Sequence, residues 1–148
     1  MPQSLANVVL HLVFSTKLRR PVLPAAITQE LHPYLTATLA NLGCQPIQVG
    51  GVEDHVHLLF RVSRTRTIAE VVENAKTGSS KWLKTKGIPE FAWQSGYGVF
   101  SVGSVDLDAV AAYVRTQPAH HAKVSFQDEL RLLLREAGLE FDERYVWD

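Results

Sequence analysis

The chain has 148 residues, no net charge at neutral pH and 46% apolar residues, so we expect one globular domain spanning residues 1–148. Cys44 is the only cysteine, which excludes a disulfide framework and a cysteine-based zinc site. The first residues lack a basic leader, and the longest apolar stretch, residues 8–14, is too short to span a membrane. We therefore expect a cytoplasmic protein without membrane attachment.

Charge is unevenly distributed along the chain. Residues 1–86 hold ten lysines and arginines against five acidic residues, whereas residues 126–148 hold three against seven. A basic body is thus combined with an acidic tail, and the neutral total does not exclude a nucleic-acid partner. Charge alone leaves a functional basic face and an ordinary solvated surface equally open.

Hydrophobic periodicity and turn residues predict alternating strands and helices. The predicted strands cover residues 7–16, 46–49, 55–62 and 91–102, and the predicted helices cover residues 27–42, 68–86, 106–117 and 125–138. Pro33 should kink or split the first helix. Pro46 favours a sheet edge for the second strand, and Gly50-Gly51 favours a turn after it.

The order β-α-β-β-α-β-α-α predicts an α+β fold, in which one largely antiparallel sheet is covered by helices on one face. Glycines within residues 91–102 predict a bulge or a close backbone approach in the last strand. The aromatic residues Phe141, Tyr145 and Trp147 are expected to dock the tail on the body.

Two histidines lie one residue apart in the third predicted strand. Because successive side chains of a strand point to opposite faces, His55 and His57 should share a face about 7 Å apart. The opposite face carries Val56, Leu58 and Phe60, which are typical core residues. Buried imidazoles need polar partners, and a shared metal ion supplies one. Satisfied structural histidines remain the alternative.

A metal ion usually takes more than two protein ligands, so a third should exist. Tyr113 and Gln117 are four residues apart on a predicted helix and share one face. His121 extends this face only if the helix continues through Pro118, which should kink it. Gln117 and His121 therefore remain alternative third ligands.

Ordered motifs extend over most of the chain. They are HLVFSTKLRRP at 11–21, DHVHLL at 54–59, SSKW at 79–82, WQSGYG at 93–98 followed by FSV at 100–102, YVRTQ at 113–117 and FDERY at 141–145. Together they resemble the single-tyrosine HUH transposases of bacterial insertion sequences, and in particular their REP-associated relatives. Pro118 is the one departure from the pattern that we note.

The resemblance implies a ferredoxin- or RRM-like fold and a metal-dependent endonuclease. Such an enzyme nicks and rejoins single-stranded DNA through a 5′-phosphotyrosine intermediate. The implied nucleophile is Tyr113, and the implied ligands of Mg²⁺ or Mn²⁺ are His55, His57 and Gln117. A phenol has a reference pKa near ~10, so Tyr113 needs a metal, basic neighbours or a base to ionise.

The resemblance also implies single-stranded or hairpin DNA and a second copy of the chain as partners. The residues expected to contact DNA are Lys17, Arg19, Arg20, Lys81 and Tyr97. In such a homodimer, Tyr113 acts either beside the histidines of its own chain or beside those of its partner. The sequence leaves both arrangements open, together with the DNA sequence recognised and the choice between a mobile-element enzyme and a resident repeat-processing one.

Three other functions share some of these features. A cupin-type oxygenase also carries His-x-His on a strand, but it expects a glutamate in the region where Arg61 stands. An amidohydrolase barrel needs about 250 residues. A non-catalytic module that binds single-stranded nucleic acid is the serious alternative, although it leaves the histidine pair and the Tyr113–Gln117 face without a role.

Overall fold

Four strands form one open antiparallel sheet in the computed structural model, which describes residues 2–148. The strands are β1 (Val9–Ser15), β2 (Gln45–Gly51), β3 (His55–Arg61) and β4 (Gly98–Val102). The helices are α1 (Ala25–Asn41), α2 (Ile68–Thr85), α3 (Leu107–Arg115), α4 (Gln117–His121) and α5 (Phe126–Glu136). The sheet order β2-β3-β1-β4 with a β-α-β-β-α-β chain path is the ferredoxin-like topology, which confirms the predicted α+β fold.

Helices α1 and α2 cover one face of the sheet, as predicted. The core of this layer includes Leu35 and Leu39 of α1, which pack with the alternate residues Val56, Leu58 and Phe60 of β3. All five side chains are almost fully buried. Full burial of one such side chain contributes about 1.5–3 kcal/mol, so this layer provides much of the stability of the fold.

The second face of the sheet is also covered, by α3, α4 and α5. Val114 of α3 clusters with Val9 and Leu59, and Leu130 of α5 clusters with Val13. This second layer adds to the predicted single helical layer. It encloses the side chains of β3 that point away from α1 and α2, and these include both histidines.

Several predicted boundaries are wrong. Helix α1 runs through Pro33 without a split, because one missing N–H removes only one hydrogen bond from a well-packed helix. Gly50 and Gly51 belong to edge strand β2 and pair with His57 and Val56, so the turn lies at residues 52–54. The last strand is only β4, and Trp93 forms an isolated bridge with Thr16. The irregular register lies near Pro46 in β2.

The segment that carries Tyr113 is divided into two helices. Helix α3 ends at Arg115, and α4 begins at Gln117 with Pro118 in its first turn. Proline is tolerated there because the first N–H groups of a helix need no partner within the helix. The predicted single helix over residues 106–117 is therefore interrupted at Thr116.

Helix caps and the tail follow the predictions in most respects. The side chains of Thr67 and Ser125 accept hydrogen bonds at the starts of α2 and α5. Phe141 and Trp147 pack against the apolar side of α5, whereas Tyr145 is 63% exposed and does not dock. Within residues 2–148, no helix combines the length and the apolar character needed to cross a membrane.

Candidate active site

Strand β3 directs His55 and His57 to the face beneath α3, α4 and α5. Both side chains are fully buried, and their ring centroids lie 5.1 Å apart. The shared face predicted from the strand period is therefore observed. Burial between two layers leaves these imidazoles dependent on protein groups or a bound ion for polar contacts.

The outer nitrogen of each histidine has a partner. Asp54 Oδ1 lies 2.7 Å from His55 Nδ1, and His11 Nε2 lies 2.7 Å from His57 Nδ1. A carboxylate only accepts, so His55 Nδ1 carries a hydrogen, and a neutral ring then presents its lone pair on Nε2. Partners of this kind orient metal-binding histidines, a role for His11 that none of the sequence motifs indicates.

Burial, followed by the neighbouring His57, lowers the pKa of His11 to about 3. Burial also lowers the pKa of His57 to about 4, although Glu129 opposes this shift. Both rings are therefore neutral near pH 7. A neutral His11 can accept the Nδ1–H of His57, which leaves His57 Nε2 free to bind a cation.

Glu129, to which none of the sequence motifs points, has its carboxylate at the centre of the site. Its Oε1 is 2.7 Å from His57 Nε2 and 3.7 Å from His55 Nε2, and its Oε2 is 2.8 Å from His121 Nε2. The ligand atoms of these four residues, here called the histidine–glutamate cluster, lie within 4.8 Å of one another. Glu129 interrupts the apolar stripe of α5, and this was the available signal.

The short distances in the cluster are not accompanied by aligned hydrogen bonds. Among the described residues, five buried side-chain polar atoms have no hydrogen-bond partner, and four of them are His57 Nε2, His121 Nε2 and both carboxylate oxygens of Glu129. Buried polar atoms without partners cost roughly 1–3 kcal/mol each. A cation between them would satisfy the whole set, so the residues present fit a metal ion.

The charge of the cluster depends on Glu129. Burial alone raises the pKa of this carboxyl, but the close contacts with His121 and His57 outweigh burial and hold the pKa well below its usual range. The carboxylate is therefore ionised at neutral pH. An anion surrounded by imidazole nitrogens is a donor set suited to a divalent cation.

Both predicted third ligands reach the cluster. Gln117 is fully buried and places its Oε1 3.1 Å from His55 Nε2, while its Nε2 donates to the Tyr113 carbonyl oxygen at 3.2 Å. His121 contacts Glu129 and stacks edge-on against His55 with ring centroids 4.3 Å apart. The structure therefore brings together Gln117 and His121 rather than selecting one.

Tyr113 is half-buried and lies over the same cluster in the same chain. Its ring centroid is 5.6 Å from that of His57 and 5.0 Å from that of His120. Burial, followed by the nearby Glu129 carboxylate, raises the pKa of Tyr113 above its usual value. The phenol is thus protonated at neutral pH, and a cleft of about 280 Å³ gives access to it.

A close backbone contact fixes the helix that carries Tyr113. At Gly50 in β2, an added Cβ would overlap the Val114 carbonyl oxygen and lie 3.0 Å from the carbonyl carbon. Glycine therefore allows the backbone of α3 to rest directly on the edge strand. This contact sets the height of Tyr113 above the histidine pair.

The basic turn after β1 leaves the sheet at the end where His55 begins, because Ser15 pairs with His55. Lys17 and Arg20 are exposed and border a cavity of about 320 Å³ lined by residues 87–92. Arg19 is half-buried, and its guanidinium lies 5.7 Å from the Trp147 ring centre. Arg19 therefore packs on the tail in addition to any contact with a ligand.

Lys81 and Tyr97, the other predicted DNA contacts, are both exposed, and Tyr97 belongs to the segment of residues 91–97. Lys81 borders a groove of about 410 Å³ that this segment also lines. The segment is held by Lys76, whose Nζ donates to the carbonyl oxygens of Gln94 at 2.8 Å and Gly96 at 2.6 Å. The predicted DNA contacts thus surround one loop outside the histidine–glutamate cluster.

Comparison with known proteins identifies the class to which this fold and site belong, namely the transposases. The sequence model of the IS200-like transposases matches residues 4–117, which is most of the chain. The chain belongs to the IS200-like transposase family, and the resemblance inferred from its motifs is confirmed at this level. Glu129, His120 and His121 lie beyond the matched residues.

Individual relatives agree with this assignment. The chain is 25% identical over 114 residues to the ISDra2 transposase TnpA of Deinococcus radiodurans, covering 72% of this chain and 81% of the relative. A candidate transposase of D. radiodurans R1 has a similar crystal structure, with a TM-score of 0.63, 21% identity, and coverage of 77% of this chain and 95% of that one.

A third similar structure is a REP-associated tyrosine transposase bound to a REP hairpin. It has a TM-score of 0.62 and 12% identity, and the match covers 96% of this chain and 90% of that one. At these identities the two structures establish the shared fold. The 96% coverage extends this likeness beyond the residues matched by the family.

Proposed function

We propose that this transposase is a metal-dependent endonuclease that nicks and rejoins single-stranded DNA through a 5′-phosphotyrosine intermediate, with residues 1–148 acting as one domain. One observation carries the proposal. Tyr113 lies over two fully buried histidines whose outer nitrogens are engaged by Asp54 and His11. A non-catalytic nucleic-acid-binding module would not need this arrangement.

His55 and His57 are the proposed metal ligands, together with Gln117 or His121. Mg²⁺ and Mn²⁺ are the candidate ions, and either would polarise a phosphate oxygen as a Lewis acid. Asp54 and His11 keep the two Nε2 atoms directed inward, so only small side-chain adjustments are needed when an ion binds.

Tyr113 is the proposed nucleophile. Its phenolic oxygen forms a bond to the phosphorus, and the bond from phosphorus to the 3′ oxygen of the neighbouring nucleotide breaks. In the net step the phenolic proton is transferred to that 3′ oxygen, which leaves a free 3′-OH. Because the phosphodiester energy is kept in the tyrosine ester, the reverse attack rejoins strands without ATP.

Single-stranded or hairpin DNA is the proposed substrate. The similar transposase bound to a REP hairpin supports this substrate class. The exposed residues Lys17, Arg20, Lys81 and Tyr97 suit phosphate contact and base stacking around the loop at 91–97. Arg19 remains in the proposed set with a partly structural role, because it packs on Trp147.

A covalent-adduct assay tests the proposal. A labelled hairpin oligonucleotide, incubated with protein and Mg²⁺ or Mn²⁺, should give a protein–DNA adduct on a denaturing gel. Tyr113→Phe should abolish the adduct and retain DNA binding, since only a hydroxyl is removed. Tyr34→Phe, a tyrosine that stacks on Trp82 away from the site, is the matched control. An adduct that persists in Tyr113→Phe, or maps to Tyr97, would contradict the proposal.

Removal of the metal by a chelator, and the behaviour of the wild-type chain with a hairpin, complete the test. Excess chelator should remove the adduct, as should His55→Ala or His57→Ala. If wild-type protein binds the hairpin but forms no adduct with either ion, the non-catalytic binding module is the better explanation.

We also propose that the protein acts as a homodimer. The position of Tyr113 over the histidines of its own chain favours a site that is complete within each copy. Mixing His57→Ala with Tyr113→Phe protein should then give no rescue of cleavage, whereas rescue would indicate that Tyr113 acts on the partner's site. Light scattering measures the assembly directly, and a monomer would contradict the dimer.

A further inference from the structure

Glu129 lies on α5, outside the residues matched by the transposase family, yet its carboxylate lies among the histidines of the site. We infer that Glu129 is itself a metal ligand and that, with His121, it completes a site of three imidazoles and one carboxylate around His55 and His57. This inference rests on the metal dependence proposed above. It assigns the fourth ligand to a helix that the family match does not include.

The spacing of the ligand atoms fits one ion. Ligands bound at about 2.1 Å lie about 3 Å apart when adjacent and about 4 Å apart when opposite. The Glu129 oxygens are 2.7 Å from His57 Nε2, 2.8 Å from His121 Nε2 and 3.7 Å from His55 Nε2. Small adjustments of buried side chains would admit an ion.

The unpaired atoms of the cluster point to the same conclusion. Both oxygens of Glu129 and the Nε2 atoms of His57 and His121 are buried without an aligned hydrogen bond. His55 Nε2 faces two further oxygens, one from Gln117 and one from Glu129. Several acceptors that converge in a buried space are stabilised by a positive charge at their centre.

Helix α5 holds Glu129 rigidly. Ser125 caps the helix, and Phe126 and Leu130 bury their side chains in the cluster that contains Val13 of β1. A ligand carried on a packed helix keeps its geometry better than one carried on a loop. An ion bound by Glu129 and His57 would also tie α5 to β3, so metal binding should stabilise the docked helix.

The competing explanation is that Glu129 serves as a counter-ion of the histidines and must leave before a metal can enter. The two explanations predict opposite effects on metal affinity. A ligand increases the affinity for an ion, whereas a competing internal anion decreases it. Removing the negative charge of Glu129 therefore decides between them.

Direct Mn²⁺ binding is the test. Free Mn²⁺ is counted by electron paramagnetic resonance during titration of the full-length chain, without DNA. Glu129→Gln should bind Mn²⁺ at least about tenfold more weakly than wild type, since even residues that only orient a ligand contribute about 10–100-fold. Glu140→Gln, an exposed site with the same charge change, should bind like wild type.

A second variant protects the test against a folding failure. His121→Asn replaces a side chain that is 10% exposed by a smaller polar one, and it should weaken Mn²⁺ binding to a similar degree. Circular dichroism verifies that each variant is folded before titration. Mn²⁺ should also raise the melting temperature of wild type more than that of either variant.

Each outcome decides a separate question. Unchanged or tighter Mn²⁺ binding by Glu129→Gln would overturn the inference and leave the proposed metal-dependent function standing. Absence of Mn²⁺ binding by the wild-type chain would overturn the proposed metal dependence as well. Weaker binding by both variants with an unchanged control would support Glu129 and His121 as ligands.

Discussion

Substitution of Gly50 tests whether the backbone contact between β2 and α3 positions Tyr113. The Cβ of Gly50→Ala would lie 3.0 Å from the Val114 carbonyl carbon and 3.3 Å from its Cγ1, in addition to overlapping the carbonyl oxygen. Ordinary carbon contacts are about 3.5–4.0 Å, and the overlap with the carbonyl oxygen is deeper than either carbon contact, so α3 must move by roughly 1 Å or more. Overpacking of this kind costs about 1–3 kcal/mol of stability.

The same movement displaces Tyr113 relative to His57. A misplacement of about 1 Å can cost about 100-fold in rate, so we expect cleavage by Gly50→Ala to slow by roughly 10–100-fold although no chemical group is lost. Single-turnover cleavage at saturating oligonucleotide and metal measures the rate, and urea unfolding measures the stability. DNA affinity should change little, because the predicted contacts lie elsewhere.

The matched control is Gly78→Ala, within α2. There an added Cβ lies 3.3 Å from the Tyr34 hydroxyl, the end of a side chain that can move, and alanine is favoured in a helix by about 1 kcal/mol. This variant should cleave like wild type and be at least as stable. A folded Gly50→Ala protein that cleaves at the wild-type rate would refute the reasoning that this contact sets the position of Tyr113.

Three further predictions concern stability and DNA binding. Thr67→Ala removes the helix cap that accepts a hydrogen bond from the Glu70 N–H, and it should lower the free energy of unfolding by about 1 kcal/mol. The melting temperature should fall by about 2–4 °C, and an unchanged melting temperature would contradict this prediction. Burial lowers the pKa of His32 from 6.5, so the imidazole of His32 binds a proton more readily in the unfolded chain. Relative to His32→Leu, the wild type should therefore lose stability, measured by urea unfolding, below about pH 6.5. An equal difference in stability between the two proteins at pH 7.5 and pH 5 would exclude the effect. Lys17→Ala should reduce the slope of the logarithm of the hairpin-binding constant against the logarithm of salt concentration by about one unit. Arg64→Ala, at the opposite end of the sheet, should leave this slope unchanged. Equal slopes for wild type and Lys17→Ala would remove Lys17 from the DNA contacts.

The acidic tail illustrates how tertiary contacts change the meaning of a charge pattern. The excess of acidic residues after residue 125 suggested a tail that masks a basic body. In the structure, Arg131 pairs with Glu143, and Arg144 pairs with Asp142. These pairs use arginines that already belong to the tail, so its acidic excess remains, and Glu129 directs one of these charges into the site.

The fold class and the shared face of the histidine pair follow from local patterns in the sequence. Periods of two and 3.6 residues identify which side of a strand or helix is apolar, and this local rule places Val56, Leu58 and Phe60 opposite His55 and His57. The ordered motifs identified the family. Such features depend on neighbours along the chain, so they can be read without knowledge of distant contacts.

Which residues meet at the site depends on the packing of distant elements. His11, Glu129 and Gln117 come from separate elements, and their approach to His57 and His55 depends on how α4 and α5 pack over the sheet. The same packing turned Gly50 from a predicted turn into a strand residue, because pairing with His57 and contact with α3 outweigh local turn propensity. Contacts between residues far apart in the chain leave no fixed spacing in the sequence, and for this reason the fourth candidate ligand was found only in the folded protein.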